Sequence, residues 1–169
     1  MTGSEPSSSP PGGLDPEQVP LFVVLASDDN GFSGRPGSGN EGGLAFFGSL
    51  LDGRRNPGGA GGPFGGAVTA SYFMVTRFLE PGGAEDPATV RAAWRDLHEQ
   101  GHEIAVHTHT HSHGLSFEFG QWRDEMRRCR DRLAAPLDRG GVGVPHDRIT
   151  GFTRQSAQRP SEEMSQTLR

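Results

Sequence analysis

The chain contains no lysine: all 16 of its Lys-plus-Arg residues are arginine. That absence removes Schiff-base chemistry and the phosphate-binding lysine of a P-loop. Cysteine is nearly missing too. Cys129 stands alone, which excludes an internal disulfide framework and any zinc site built from several thiolates. No apolar run approaches the roughly 18 residues of a membrane helix. The opening MTGSEPSSSPPGGLDPEQ has neither a basic start nor an apolar stretch, so no secretory signal is legible in it. The net charge of −5 and the lack of a strong basic cluster weigh against nucleic acid as a partner. Leu, Ile, Val and Phe together make just under a fifth of the residues, the border of what a packed core needs.

Glycine and proline are plentiful, 26 and 13 of 169 residues. Together these counts imply a small core that carries long loops. Residues 1–18 read as a disordered Ser/Pro/Gly-rich leader, 19–152 as the folded domain, and 153–169 as a polar, disordered tail. Within the domain, Val19–Ala26 reads as a buried strand running into the turn cluster SDDNG. Leu44–Leu51 has the length of one or two helical turns, between Gly-rich loops. Ala67–Leu79 has strand density of β-branched and aromatic residues. Asp86 is placed as an N-cap with Pro87 at the first helical position, ahead of a helix whose apolar stripe is Val90, Ala93, Trp94 and Leu97. Glu103–His107 reads as a strand, and Phe119, Trp122, Met126, Cys129 and Leu133 mark a second amphipathic helix. A last short strand is expected at Ile149–Phe152. Strands alternating with helices predict an α/β fold with parallel strands, a sheet or a barrel.

Five of the seven histidines lie between His102 and His113, with His107, His109, His111 and His113 in strict alternation. On an extended chain that period puts all four rings on one side, at a strand's C-terminal end. A solvated His-rich turn is the bland alternative, but such a cluster repels itself when protonated and has no packing value. A metal site is the better reading. Asp28 and Asp29 follow another apolar strand. In parallel α/β folds ligands bind beyond the carboxyl ends of strands, where both features are expected. One aspartate with two histidines makes a three-ligand set with room for water, the hydrolytic type.

These residues resemble a family, the polysaccharide deacetylases (the NodB-homology group of carbohydrate esterases). Its first motif, a strand ending Thr-Phe-Asp-Asp-Gly, is matched by Ala26-Ser27-Asp28-Asp29-Asn30, with Gly31 one place later. Its second, His-Thr/Ser-x-x-His after Gly-His-Glu-Ile, is matched by Gly101–Ile104 and His107–His111. Ala70–Met74 is similar to its second strand. The resemblance spans about residues 19–152 and implies part of a (β/α) barrel.

It further implies Asp28 as general base, with Asp29, His107 and His111 as ligands of a divalent metal such as zinc. His109 with His113 is the competing register. The implied activity is metal-dependent removal of acetyl groups from a polysaccharide, with hydrolysis of the amide C–N bond in N-acetyl sugars. The alternative is a truncated, inactive metal-binding fragment. An amidohydrolase-type barrel fits less well, because its His-x-His lies on the first strand. Family members commonly work outside the cytoplasm, so an extracytoplasmic or envelope location fits the resemblance. Where the family continues with Arg-x-Pro, this chain has Thr153-Arg154-Gln155-Ser156, and the later motifs are missing. The chain is therefore expected to be the N-terminal part of a catalytic unit.

Other features have plain readings. Gly37–Gly42 matches G-x-G-x-x-G, yet no strand ends just before it. Cys129 reads as a buried core thiol, Trp94 and Trp122 as packing, and His98 and His146 as surface residues. Arg127, Arg128, Arg130 and Arg132 read as a solvated helix face.

Overall fold

The computed structural model describes residues 15, 23–56, 66–112, 114 and 117–152. The expected leader (apart from Asp15) and the expected tail lie outside the described residues. The element order is β1 (Ala26–Asn30), α1 (Gly43–Leu51), β2 (Ser71–Met74), α2 (Pro87–Glu99), β3 (Glu103–Val106), α3 (Phe119–Ala134) and β4 (Ile149–Phe152), with short 3-10 turns at Thr76–Leu79, Leu137–Arg139 and His146–Arg148. The four strands form one all-parallel sheet in the order β1-β2-β3-β4. This is an α/β fold.

Parallel neighbours need crossover connections, and here the crossovers carry α1, α2 and α3. All three helices pack on one face of the sheet. Tyr72, Met74, Ile104 and Val106 alternate inward and meet Leu44 and Leu51 of α1, Trp94 and Leu97 of α2, and Met126, Cys129 and Leu133 of α3. Trp94 is fully buried and Trp122 nearly so, as core spacing predicts. The opposite face carries Ser71, Phe73, Glu103 and Thr150, with Glu103 accepting hydrogen bonds from the hydroxyls of Ser71 and Thr150. Among the described residues the sheet is open, with β1 and β4 at its edges, and no helix is long and apolar enough to cross a membrane.

Local chemistry explains the second helix well. The Asp86 side chain accepts from the Thr89 N–H at 3.1 Å, and Pro87 fills the first helical position, where its missing N–H costs nothing. In α3, Glu118 and Gln121 form a reciprocal capping box. Phe119 lies off the buried stripe and is exposed.

Three expectations need correction. Of the expected strand Val19–Ala26, residues 19–22 lie outside the described residues; among those described the strand runs from Ala26 to Asn30, past the expected end, and Val23 and Val24 are exposed. The reason is pairing: β2 begins at Ser71, opposite Ala26, so among the described residues 23 and 24 face no strand. The second strand is only Ser71–Met74, because the chain tightens into a 3-10 turn at Thr76–Leu79. His98 is half-buried, whereas His146 is exposed as expected.

Candidate metal centre

The irregular end of β1 sets one side of the centre. The β1–β2 register shifts between Ser27 and Asn30, and Asp29 there has φ 58°, in the left-handed region. Asn30 holds this bulge closed. Its Nδ2 donates to Ser27 O at 2.6 Å and to Phe73 O at 3.0 Å, and its backbone O accepts from Val75 N. Gly31 follows because the Phe78 ring leaves no room: a Cβ there would lie 2.5 Å from ring carbons. The Asp29 side chain, 60% exposed, is thereby turned toward the end of β3.

The other side comes from residues 107–111. His107 continues the ladder one step past β3, its N–H bonding Met74 O at 3.0 Å, and its side chain is buried. The chain then turns sharply, with Thr108 at φ 71° and His111 at φ 59°. The Thr108 hydroxyl accepts from His111 N at 3.2 Å and closes the turn. His107 Nε2 and His111 Nε2 both reach Asp29 Oδ1, at 2.7 and 2.6 Å, and the two rings lie 5.4 Å apart between centroids. One ligand atom from each of Asp29, His107 and His111 falls within 4.8 Å of the others. Burial by itself raises the Asp29 carboxyl pKa, but the hydrogen bonds from His111 and His107 and their charge outweigh it and hold it below the usual value.

The donor set fits a divalent ion: two imidazole nitrogens and one carboxylate oxygen converge, with the Asp29 side toward solvent. Three residues other than glycine have positive φ among those described, and all three belong to this centre. Such conformations cost of order 1–3 kcal/mol each and persist only where the surroundings enforce them.

The expected alternation of four rings along one strand is not realised. Since β3 ends at Val106, the turn separates the histidines. His109 is buried and points elsewhere: its Nδ1 meets the Thr76 hydroxyl at 3.0 Å and its Nε2 the Glu80 carboxylate at 3.2 Å. Burial pushes its pKa down, aided by Arg128 and opposed by Glu80 and Glu125. His113, its partner in the competing register, lies outside the described residues. Asp28 is exposed, and with Asp29 it lines a cleft of about 280 Å3 that also contains Phe32, Asn40, Glu41 and Leu44.

Two residues of this centre escape motif reading, Asn30 and Glu125. Glu125 is buried in α3, and its Oε2 accepts from the N–H groups of His109 (3.0 Å) and Thr110 (2.7 Å). The available signal was an acid at the helical spacing of Trp122 and Cys129, on the apolar stripe. The G-x-G-x-x-G segment is satisfied from within: Glu41 Oε1 accepts from Gly37 N and Gly39 N at 3.0 and 3.2 Å, where a phosphate would otherwise sit. Cys129 is fully buried, its thiol donating to Met74 O and its pKa pushed up to about 12, which leaves it inert. Compared with known proteins, the chain matches no family model, no curated protein and no solved structure.

Proposed function

We propose that the protein is a metal-dependent hydrolase that removes acetyl groups from a polysaccharide, built on part of a (β/α) barrel of the polysaccharide deacetylase type. The observation that carries this reading is the convergence of Asp29, His107 and His111 at the C-terminal ends of β1 and β3, with Asp28 adjacent in the chain. That edge of a parallel sheet is where such folds bind ligands. Zinc or a similar divalent ion suits the donor set, with Asp29, His107 and His111 holding it. When bound, such an ion supplies Lewis acidity toward an acyl oxygen and acidifies water.

The chain's own groups do the rest. Buried His107 and the turn-locked His111 are held in place, which fixes two nitrogens before anything binds. Asp29 contributes an ionised carboxylate, favoured by its two imidazole partners. Asp28, exposed in the same cleft, takes at a carboxylate oxygen the proton that water loses as its oxygen bonds the acetyl carbonyl carbon. The C–N or C–O bond to the sugar then breaks, the amine or hydroxyl leaving with a proton and the acetyl group leaving as acetate. Asn40 and Glu41 across the cleft offer polar groups to sugar hydroxyls.

The test combines metal analysis with acetate release from N-acetylated and O-acetylated oligosaccharides. Zinc should bind at one equivalent and be lost from the D29A/H107A/H111A protein; unchanged stoichiometry overturns the site. Asp28→Asn should keep the zinc and abolish acetate release, by about 100-fold or more for loss of a general base. Loss of zinc in D28N would instead make Asp28 a ligand. Zinc binding without acetate release from either substrate replaces the hydrolase by a metal-binding fragment.

A further inference from the structure

Glu125 occupies a position where its helix wants an apolar residue. It lies on the buried stripe of α3 with Trp122, Met126, Cys129 and Leu133, and is only 8% exposed. A carboxylate there loses its hydration, a cost that an aliphatic side chain of similar size would not incur. What offsets the cost is a pair of hydrogen bonds, both made by Oε2, from the N–H groups of His109 and Thr110. Those are consecutive residues in the middle of the segment joining His107 to His111.

The same segment is gripped from its other side by the 3-10 turn after β2. Arg77 N donates to His109 O at 2.9 Å, and Arg77 Nη1 donates to Thr110 O at 3.1 Å. The N–H groups of residues 109 and 110 are thus held by α3 and their carbonyls by Arg77 of the 3-10 turn. Thr108 and His111 flank this clamp, both with positive φ, so the turn is strained and needs outside contacts to persist. His107 is secured independently by the sheet, through Met74 O. His111 lies outside the strands, in the turn that the Thr108 hydroxyl closes, so that turn helps to set its place. Ligand atoms must be held to within about 0.5 Å for a metal site to keep its geometry.

We infer that Glu125 is a positioning residue for the metal centre: by clamping the 109–110 backbone it presets His111 against His107 and Asp29. This rests on the metal reading above. Glu125 touches neither ligand atoms nor substrate, so its effect is on the affinity of the site for the ion.

The experiment titrates zinc against a chromophoric chelator in wild-type protein, Glu125→Ala, Glu125→Gln and the packing control Met126→Ala, and follows amide exchange of residues 107–112 without zinc. Glu125→Ala should weaken zinc binding about 10–100-fold, the range for loss of a group that orients a ligand. It should also speed exchange at His109 and Thr110. Glu125→Gln keeps an acceptor oxygen and should lose less. Met126→Ala should lower the melting temperature yet leave zinc affinity within about twofold of wild type, since the Met126 side chain only packs. If Glu125→Ala fails to fold, Glu125→Gln decides by the same comparison. Equal affinity losses in the Glu125 and Met126 variants, or unchanged exchange, overturn the inference. Wild-type protein that takes up no zinc overturns the metal reading as well, so the two failures are distinguishable.

Discussion

His102 shows how one residue couples the end of α2 to the sheet. Its ring is buried, its Nδ1 accepts the Ala70 N–H at 3.2 Å, and it meets the Tyr72 ring edge-on at 5.4 Å. Accepting that bond requires the neutral ring, and burial pushes the pKa below the ordinary value of about 6.5, against a smaller upward pull from Asp52. A folded-state pKa below the unfolded one means that the unfolded chain binds more protons in the interval between them. The stabilising contribution is therefore complete above about pH 6.5 and is lost as pH falls through that value toward the folded pKa. Zinc-free protein should lose denaturant resistance between pH 7.5 and pH 5. His102→Asn keeps an acceptor without a titrating ring, so its stability relative to wild type should improve steadily as pH falls. A pH-independent difference between the two would refute this. His109, also shifted down by burial, adds a slope of the same sign in both proteins.

At the scale of elements, the join between α3 and β4 is held by a run of backbone hydrogen bonds. Val144 N bonds Leu133 O, Gly143 N bonds Ala135 O, and Gly141 N bonds Pro136 O, so the chain folds back tightly over the helix end. This seats Val142 and Val144 in the core beside Leu133. Gly141 lies so close to the helix terminus that a Cβ would fall 2.0 Å from Ala135 O, a backbone atom with no freedom to retreat. Gly141→Ala should therefore destabilise the protein by about 1–3 kcal/mol, the cost of overpacking, measurable by urea unfolding. Gly120→Ala, where nothing lies within 4 Å, should change stability little or improve it, since Ala favours a helix over Gly by about 1 kcal/mol. The second helix was legible from its cap residues and apolar spacing and the third from its apolar spacing, whereas the first showed only as a short apolar stretch between Gly-rich loops. The first strand was not, because its limits depend on where a partner strand begins, 45 residues further along at Ser71.

For the whole molecule, the candidate centre ties the first strand to the segment after the third, across the end of β2. A bound ion would therefore link two elements that meet only through the fold, and binding to the native state alone must stabilise it. Zinc at 100 times its dissociation constant should add about 2.7 kcal/mol. For a chain of this size that corresponds to a rise of roughly 5–10 °C in melting temperature. A chelator should reverse the rise, and His111→Ala should abolish it. A zinc-induced rise that survives His111→Ala would place the ion elsewhere.

The sequence by itself determined the α/β alternation, the capped second helix, the burial of Trp94 and Cys129, and which residue types make up the candidate centre. Those are local matters, decided by spacing, caps and side-chain polarity within a few residues. Which histidines meet an aspartate was decided only in three dimensions. A bulge held by Asn30 turns Asp29 outward, and a turn of left-handed residues brings His111 back beside His107 while sending His109 to Thr76 and Glu80. That turn is clamped by Glu125 and Arg77, from a helix and a 3-10 turn distant in sequence. Strained backbone needs such distant contacts to exist at all, and no local pattern encodes them.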